Sequence, residues 1–125
     1  MNKYLGMIGS LILIFILTAY GTDFDGSRMG NDGEFIMDYK ILDTTDSQNL
    51  IVAEGDTIHA EIIVESGSLS FKIQKDDSLV PVYEGKDVSF SDEFDVEIEE
   101  SGTYIVTVTG KKAKGSVSFM VKTDP

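Results

Sequence analysis

The chain has 125 residues with neither cysteine nor tryptophan, and its 22 acidic and 10 basic residues give a formal charge of −12. Without cysteine there is no disulfide framework, thiolate metal site or cysteine nucleophile. An acidic surface without clustered Lys and Arg repels nucleic-acid phosphates, which excludes nucleic acid as a partner.

The N-terminus reads as a leader. Lys3 supplies one positive charge, and Leu5 to Ala19 then runs uncharged through Ile12-Leu13-Ile14-Phe15-Ile16-Leu17. As a helix this stretch would span about 22 Å, short of the roughly 30 Å hydrocarbon core, which fits the apolar region of an export signal. Residues 1–21 are therefore expected as a signal peptide cut before Thr22, or as an uncleaved helical anchor with Tyr4 and Tyr20 at the two interfaces. In either case the expected location is the outer face of the cell membrane or the medium, with the membrane a partner only if the leader is kept. Leu17-Thr18-Ala19-Tyr20-Gly21 resembles the lipobox of bacterial lipoproteins at four of five positions. The resemblance implies a small exported protein of the Firmicutes lipoprotein type. Tyr20 stands where that motif has its lipid-bearing cysteine, and a phenol cannot form the thioether.

Residues 22–33 are rich in Asp, Gly and Ser, with Phe24 and Met29 the sizeable apolar residues. So little apolar surface does not offset the cost of ordering, and the composition predicts a flexible tether. Asp23, Asp25, Ser27, Asn31 and Glu34 fall at positions 1, 3, 5, 9 and 12 of an EF-hand-like calcium loop. Arg28 occupies the position that calls for glycine, and no amphipathic helix flanks the loop.

From residue 34 to 125 the apolar period is two, with turn residues roughly every ten positions, which predicts a single all-β domain. Candidate strands are 35–42, 48–53, 57–65, 68–75, 79–84, 87–91, 93–99, 103–109 and 115–122, of which about eight are expected to form. Leu69, Phe71 and Ile73, then Phe94, Val96 and Ile98, then Val117, Phe119 and Val121 alternate with polar residues and mark core faces. Tyr104, Val106 and Val108 do the same against Thr103, Thr107 and Thr109, and a hairpin is expected between 103–109 and 115–122. The chain leaves no room for crossover helices, so the strands should be antiparallel in a β-sandwich of two packed sheets, with Pro81 on an edge or bulge. Ser101-Gly102-Thr103-Tyr104-Ile105-Val106 resembles the corner of immunoglobulin-like domains where a tyrosine hydroxyl ties back to the backbone. More broadly Glu54 to Val121 resembles the small Ig-like or jelly-roll modules carried behind lipoprotein leaders in Firmicutes.

The residue supply for catalysis is thin. His59 is the one histidine, it lies within a strand, and no partner for it is legible. No nucleophile elbow, phosphate loop or paired-histidine motif occurs. Asp92, Glu93, Asp95, Glu97, Glu99 and Glu100 form the densest cluster, and period-two spacing puts Glu93, Asp95, Glu97 and Glu99 on one face. Such a row is expected in solvent or guarding an edge strand, beside Lys111, Lys112 and Lys114, on a divalent cation, or docked on a basic partner. Tyr39 and Tyr83 are the candidate platforms for a sugar, though both read more simply as core or rim residues. The expectation is a non-enzymatic exported module with no catalytic, cofactor or metal residue assigned, which binds a protein or an envelope glycan or serves as a structural accessory. A calcium-stabilised adhesin, a carbohydrate-binding domain and a small carboxylate-dependent hydrolase are the alternatives.

Overall fold

The computed structural model describes residues 23–123 in full and residues 15–19 as backbone. The strands are β1 (Phe15–Ala19), β2 (Phe24–Asn31), β3 (Glu34–Leu42), β4 (Thr45–Val52), β5 (Thr57–Lys75), β6 (Tyr83–Val88), β7 (Asp92–Glu97) and β8 (Gly102–Lys122). Every pairing is antiparallel. Among the described residues no helix is long and apolar enough to cross a membrane. The expected leader lies outside the described residues except for Phe15–Ala19, whose backbone pairs with β2.

Two long strands organise the sandwich. The first half of β5 pairs with the second half of β8 from Thr57↔Lys122 to Val64↔Gly115, and its second half pairs with the first half of β8 from Leu69↔Gly110 to Lys75↔Tyr104. β3 and β7 extend the first half, whereas β4 and β6 extend the second. One layer is therefore β1-β2-β3-β8-β5-β7 and the other β4-β8-β5-β6, with β5 and β8 bending from one to the other. The bend falls where the β5–β8 register shifts, between Val64 and Ser68. Gly67 (φ 74°), Lys112 (φ 50°) and Gly115 (φ 149°) make the corner there. A Cβ on Gly67 would collide with the carbonyls of Lys111 and Lys112, and one on Gly115 with the carbonyl of Ile63.

The expected hairpin between 103–109 and 115–122 is thus corrected. Gly110-Lys111-Lys112 lies within one continuous strand, because β5 supplies ladder partners on both sides of the bend. Segments 57–65 and 68–75 fuse for the same reason. Segments 79–84 and 87–91 give way to one strand at Tyr83–Val88, and Pro81 lies in the preceding loop.

The tether expected over 22–33 is also corrected: Phe24–Asn31 is β2, zipped onto β3 from Phe24↔Leu42 to Asn31↔Glu34. Its glycines serve close approach, since a Cβ on Gly26 would meet the backbone of Asp38 and Tyr39, and one on Gly30 would meet Gln48 and Arg28. Arg28 fastens β2 to the opposite layer. Its Nε donates to Asp46 Oδ2 at 2.7 Å, its Nη2 donates to Ser47 O and Gln48 Oε1, and its guanidinium lies 4.8 Å from the Phe35 ring centroid.

Of the alternating residues read as core, Leu69, Phe71, Ile73, Val96, Ile98, Tyr104, Val106, Val108, Val117 and Phe119 are buried, and Phe94 and Val121 are partly buried against them; Phe35, Leu42 and Ile58 join the same core. Aromatic rings bridge the layers: Phe71 of β5 stacks on Phe94 of β7 at 5.7 Å, and Tyr83 of β6 on the same ring at 4.0 Å. Arg28 closes one side of the sandwich and this stack closes the other.

Candidate functional site

At the end of the sandwich away from the bend, the β5–β6 loop faces the β7–β8 loop across a cleft of about 780 Å³. Val82, Val96, Ile98 and Tyr104 give it apolar walls, and Asp77, Glu97, Glu99 and Glu100 give it a carboxylate rim. Tyr104 is fixed by its hydroxyl, which donates to Glu100 O at 2.5 Å, the tie-back expected at this corner. Burial raises the Tyr104 phenol above its ordinary pKa, with Lys75 opposing.

Lys75 is drawn into the cleft until its side chain is only 13% exposed. Its ammonium meets Asp77 Oδ1 at 2.8 Å and Glu100 Oε1 at 3.2 Å. The bond to Asp77 raises the ammonium above the usual lysine value, desolvation opposes it, and Glu100 adds to the rise. The same bond holds Asp77 below the usual carboxylate value. Glu97 and Glu99 have no ion-pair partner among the described residues.

Beside the cleft the β5–β6 loop carries four consecutive apolar residues outwards. Leu79 is 97% exposed, Val80 69% and Val82 49%, with Pro81 between. The loop is held in place by its own hydrogen bonds. Ser78 N donates to Lys75 O, Gln74 Nε2 to Ser78 O at 2.6 Å, Val80 N to Ser78 Oγ, and Val82 N to Ile73 O at 2.8 Å. A polar frame therefore presents an apolar tip to water, and among the described residues Leu79 and Val80 are not part of the core cluster.

The acidic row splits. Glu93, Asp95 and Glu97 share the outer face of β7, while Glu99 and Glu100 leave the strand and join the cleft rim. Lys111 and Lys114 pair instead with Asp87 and Glu65, and Lys112 donates its backbone N–H to Asp43. The row's partner is His59, which sits directly opposite Asp95 in the ladder. Its Nδ1 lies 2.5 Å from Asp95 Oδ1 and its Nε2 3.0 Å from Glu93 Oε2. The hydrogen bond to Asp95 is the largest cause of a raised His59 pKa, with partial desolvation against it and Glu93 in support. With both nitrogens held by carboxylates, His59 is not poised to deprotonate a nucleophile. His59, Glu61 and Glu93 place ligand atoms within 4.8 Å of one another on this exposed face.

Neither sugar platform survives: Tyr39 is buried in the core and Tyr83 is half-buried in the aromatic stack. Burial also lifts the Tyr39 phenol far above its ordinary range. The EF-hand-like set is strung along β2 and its turn. Asn31 and Glu34 do meet there, at 3.3 Å, but Arg28 turns to the opposite layer and no calcium loop forms. Sequence reasoning missed the Leu79–Val82 tip because an apolar run reads as a strand, and Pro81 was the signal against that reading.

No protein-family model and no curated protein matches this chain. Among solved structures it is similar to PliG of Aeromonas hydrophila, a periplasmic inhibitor of g-type lysozyme, at 15% identity and a TM-score of 0.49, over 85% of this chain and 92% of that one. It is also similar to the module TmCBM61 in complex with β-1,4-galactotriose, at 14% identity and a TM-score of 0.36, over 89% and 79%. A third is the carbohydrate-binding module CBM6cm-2 of Cellvibrio mixtus lichenase 5A in complex with cellotriose, at 12% identity and a TM-score of 0.35, over 90% and 88%. At these identities no residue of theirs is carried over to this chain.

Proposed function

We propose that the protein is a non-catalytic, exported binding module whose ligand is another protein. The observation that carries this reading is the Leu79–Val82 tip: large apolar side chains, exposed yet fixed by hydrogen bonds, beside a formed cleft. Exposing them costs the free chain solvation free energy, and burying them against a partner recovers about 25 cal/mol per Å². A tip already ordered loses little further entropy on binding. Export is supported by Lys3 followed by the uncharged apolar stretch from Leu5 to Ala19, and the acidic surface suits a soluble extracytoplasmic domain.

Two measurements test the reading. Mass spectrometry of the N-terminus from fractionated cells should find the chain outside the cytoplasm, either cut before Thr22 or intact in the membrane; intact chain in the cytosol refutes export. A photocrosslinking residue at position 79 should give a discrete adduct with a second protein in intact cells, and the same residue at Asn49, on the far edge strand β4 of the same layer, should not. Equal yields from both positions, or none from position 79, refute the tip as a binding element.

A further inference from the structure

We infer that the cleft beside the tip receives a lysine or arginine side chain from a cationic partner, the apolar tip packing against the residues that flank it. This rests on the protein-binding reading above and names the partner's chemistry. Four carboxylates line the cleft against one ammonium. Asp77 and Glu100 are engaged by Lys75, and Glu97 and Glu99 have no ion-pair partner among the described residues.

Lys75 already demonstrates what the cleft accommodates. Its stem lies over Gly102, where an added Cβ would come within 2.6 Å of Lys75 Cε, while its head is held between two carboxylates. An incoming basic residue presents the same combination, an apolar stem for Val82, Val96 and Ile98 and a charged head for the free rim. Arginine suits the vacant pair best, because its planar fork donates to two carboxylate oxygens at once.

Other occupants fit less well. An anionic lipid surface would meet Asp76, Asp77, Glu99 and Glu100 around the apolar tip and be repelled. A sugar would find no exposed aromatic plane in the cleft, since the Tyr104 ring is buried in its wall and the exposed Phe90 does not line it. A second copy brings the same negative charge.

The test is selection of a random displayed peptide library on the immobilised full chain. Enriched peptides should carry Lys or Arg beside apolar residues, and raising salt from about 0.05 to 0.5 M should weaken them roughly tenfold or more. Glu97→Gln with Glu99→Gln should weaken them about tenfold without lowering Tm, because neither carboxylate is paired in the free chain. Leu79→Ser with Val80→Ser should weaken every enriched peptide. If the enriched peptides are not basic, or bind independently of salt and of the Glu97 and Glu99 changes, the cationic partner is refuted and protein binding stands. If they bind the Leu79 and Val80 variant undiminished, the tip reading falls. No enrichment, or stronger binding to neutral phosphatidylcholine vesicles than to any peptide, overturns both.

Discussion

Arg28→Ala probes the part of the fold where composition and structure disagree most, the segment 24–31. Arg28 is the sequence's one arginine and is 19% exposed. It makes one ion pair at 2.7 Å, two further hydrogen bonds into β4 and a cation–π contact with Phe35. Charge-assisted hydrogen bonds at a partly buried site contribute about 1.5–3 kcal/mol together, and the ring contact about 0.5–1 kcal/mol. Truncation should therefore cost about 2–4 kcal/mol, a large fraction of the roughly 5–15 kcal/mol that holds a domain folded. At about 5 °C per kcal/mol for a domain near 100 residues, Tm should fall by roughly 10–20 °C. Arg28→Lys should restore less than half, since an ammonium cannot fork to Asp46 and Ser47 while lying flat over Phe35. A double-mutant cycle with Asp46→Ala should give a coupling of about 1–2 kcal/mol in thermal or urea melts. A Tm lowered by less than 2 °C, with no coupling, would mean that 24–31 is the tether its composition suggests and that the layers close without it.

Gly115→Ala should cost about 2–4 kcal/mol in urea melts, because the new Cβ collides with the Ile63 carbonyl at a φ of 149°. Gly55→Ala, also at positive φ (92°) but with open space around it, should cost about 1 kcal/mol, and equal costs at the two sites would refute the corner packing. Tyr104→Phe removes the donor to Glu100 O and should cost about 1–1.5 kcal/mol. For His59, the NMR midpoint of the ring protons should lie above the ordinary histidine value and return towards it in Asp95→Asn. Because the folded-state pKa is the raised one, the stabilisation is fully present below the ordinary histidine value and is lost as pH rises through the folded value. A midpoint at or below that ordinary value would show that the two carboxylates do not hold the ring.

Much of the sandwich was legible because alternation is a local property. Leu69, Phe71 and Ile73, or Val117, Phe119 and Val121, fix a buried face whatever strand lies beside them, and all six are enclosed or packed on the core. Tyr104 was legible for the same reason, since its tie reaches back only four residues. What depends on another segment was not. Gly26 and Gly30 look like flexibility until Tyr39 and Gln48 arrive against them. Gly110-Lys111-Lys112 reads as a turn whether the strand reverses or bends, and only the continuous pairing of β5 decides. His59 and Asp95 are 36 residues apart, and the cleft joins residues 75–82 to 96–104.

The placement of these parts bears on how the chain would work at a membrane face. β1, which falls within the segment expected as a leader, and β7, which supplies the cleft wall, lie at opposite edges of one layer, five strand spacings apart. At about 4.8 Å each, that is about 24 Å along the sheet. The outer face of that layer carries Glu34, Asp38, Glu61, Glu93, Asp95 and Glu97, whereas the opposite layer shows Ser47, Asn49, Thr103, Thr107 and Thr109. A cationic partner is therefore drawn to the acidic layer and its β7 edge. Cleavage before Thr22 would remove β1 and leave β2 as the edge strand, with every core residue in place. A retained leader would hold the opposite edge. Because β1 pairs at the edge away from the Leu79–Val82 tip and its cleft, binding at the tip should not depend on whether β1 is removed.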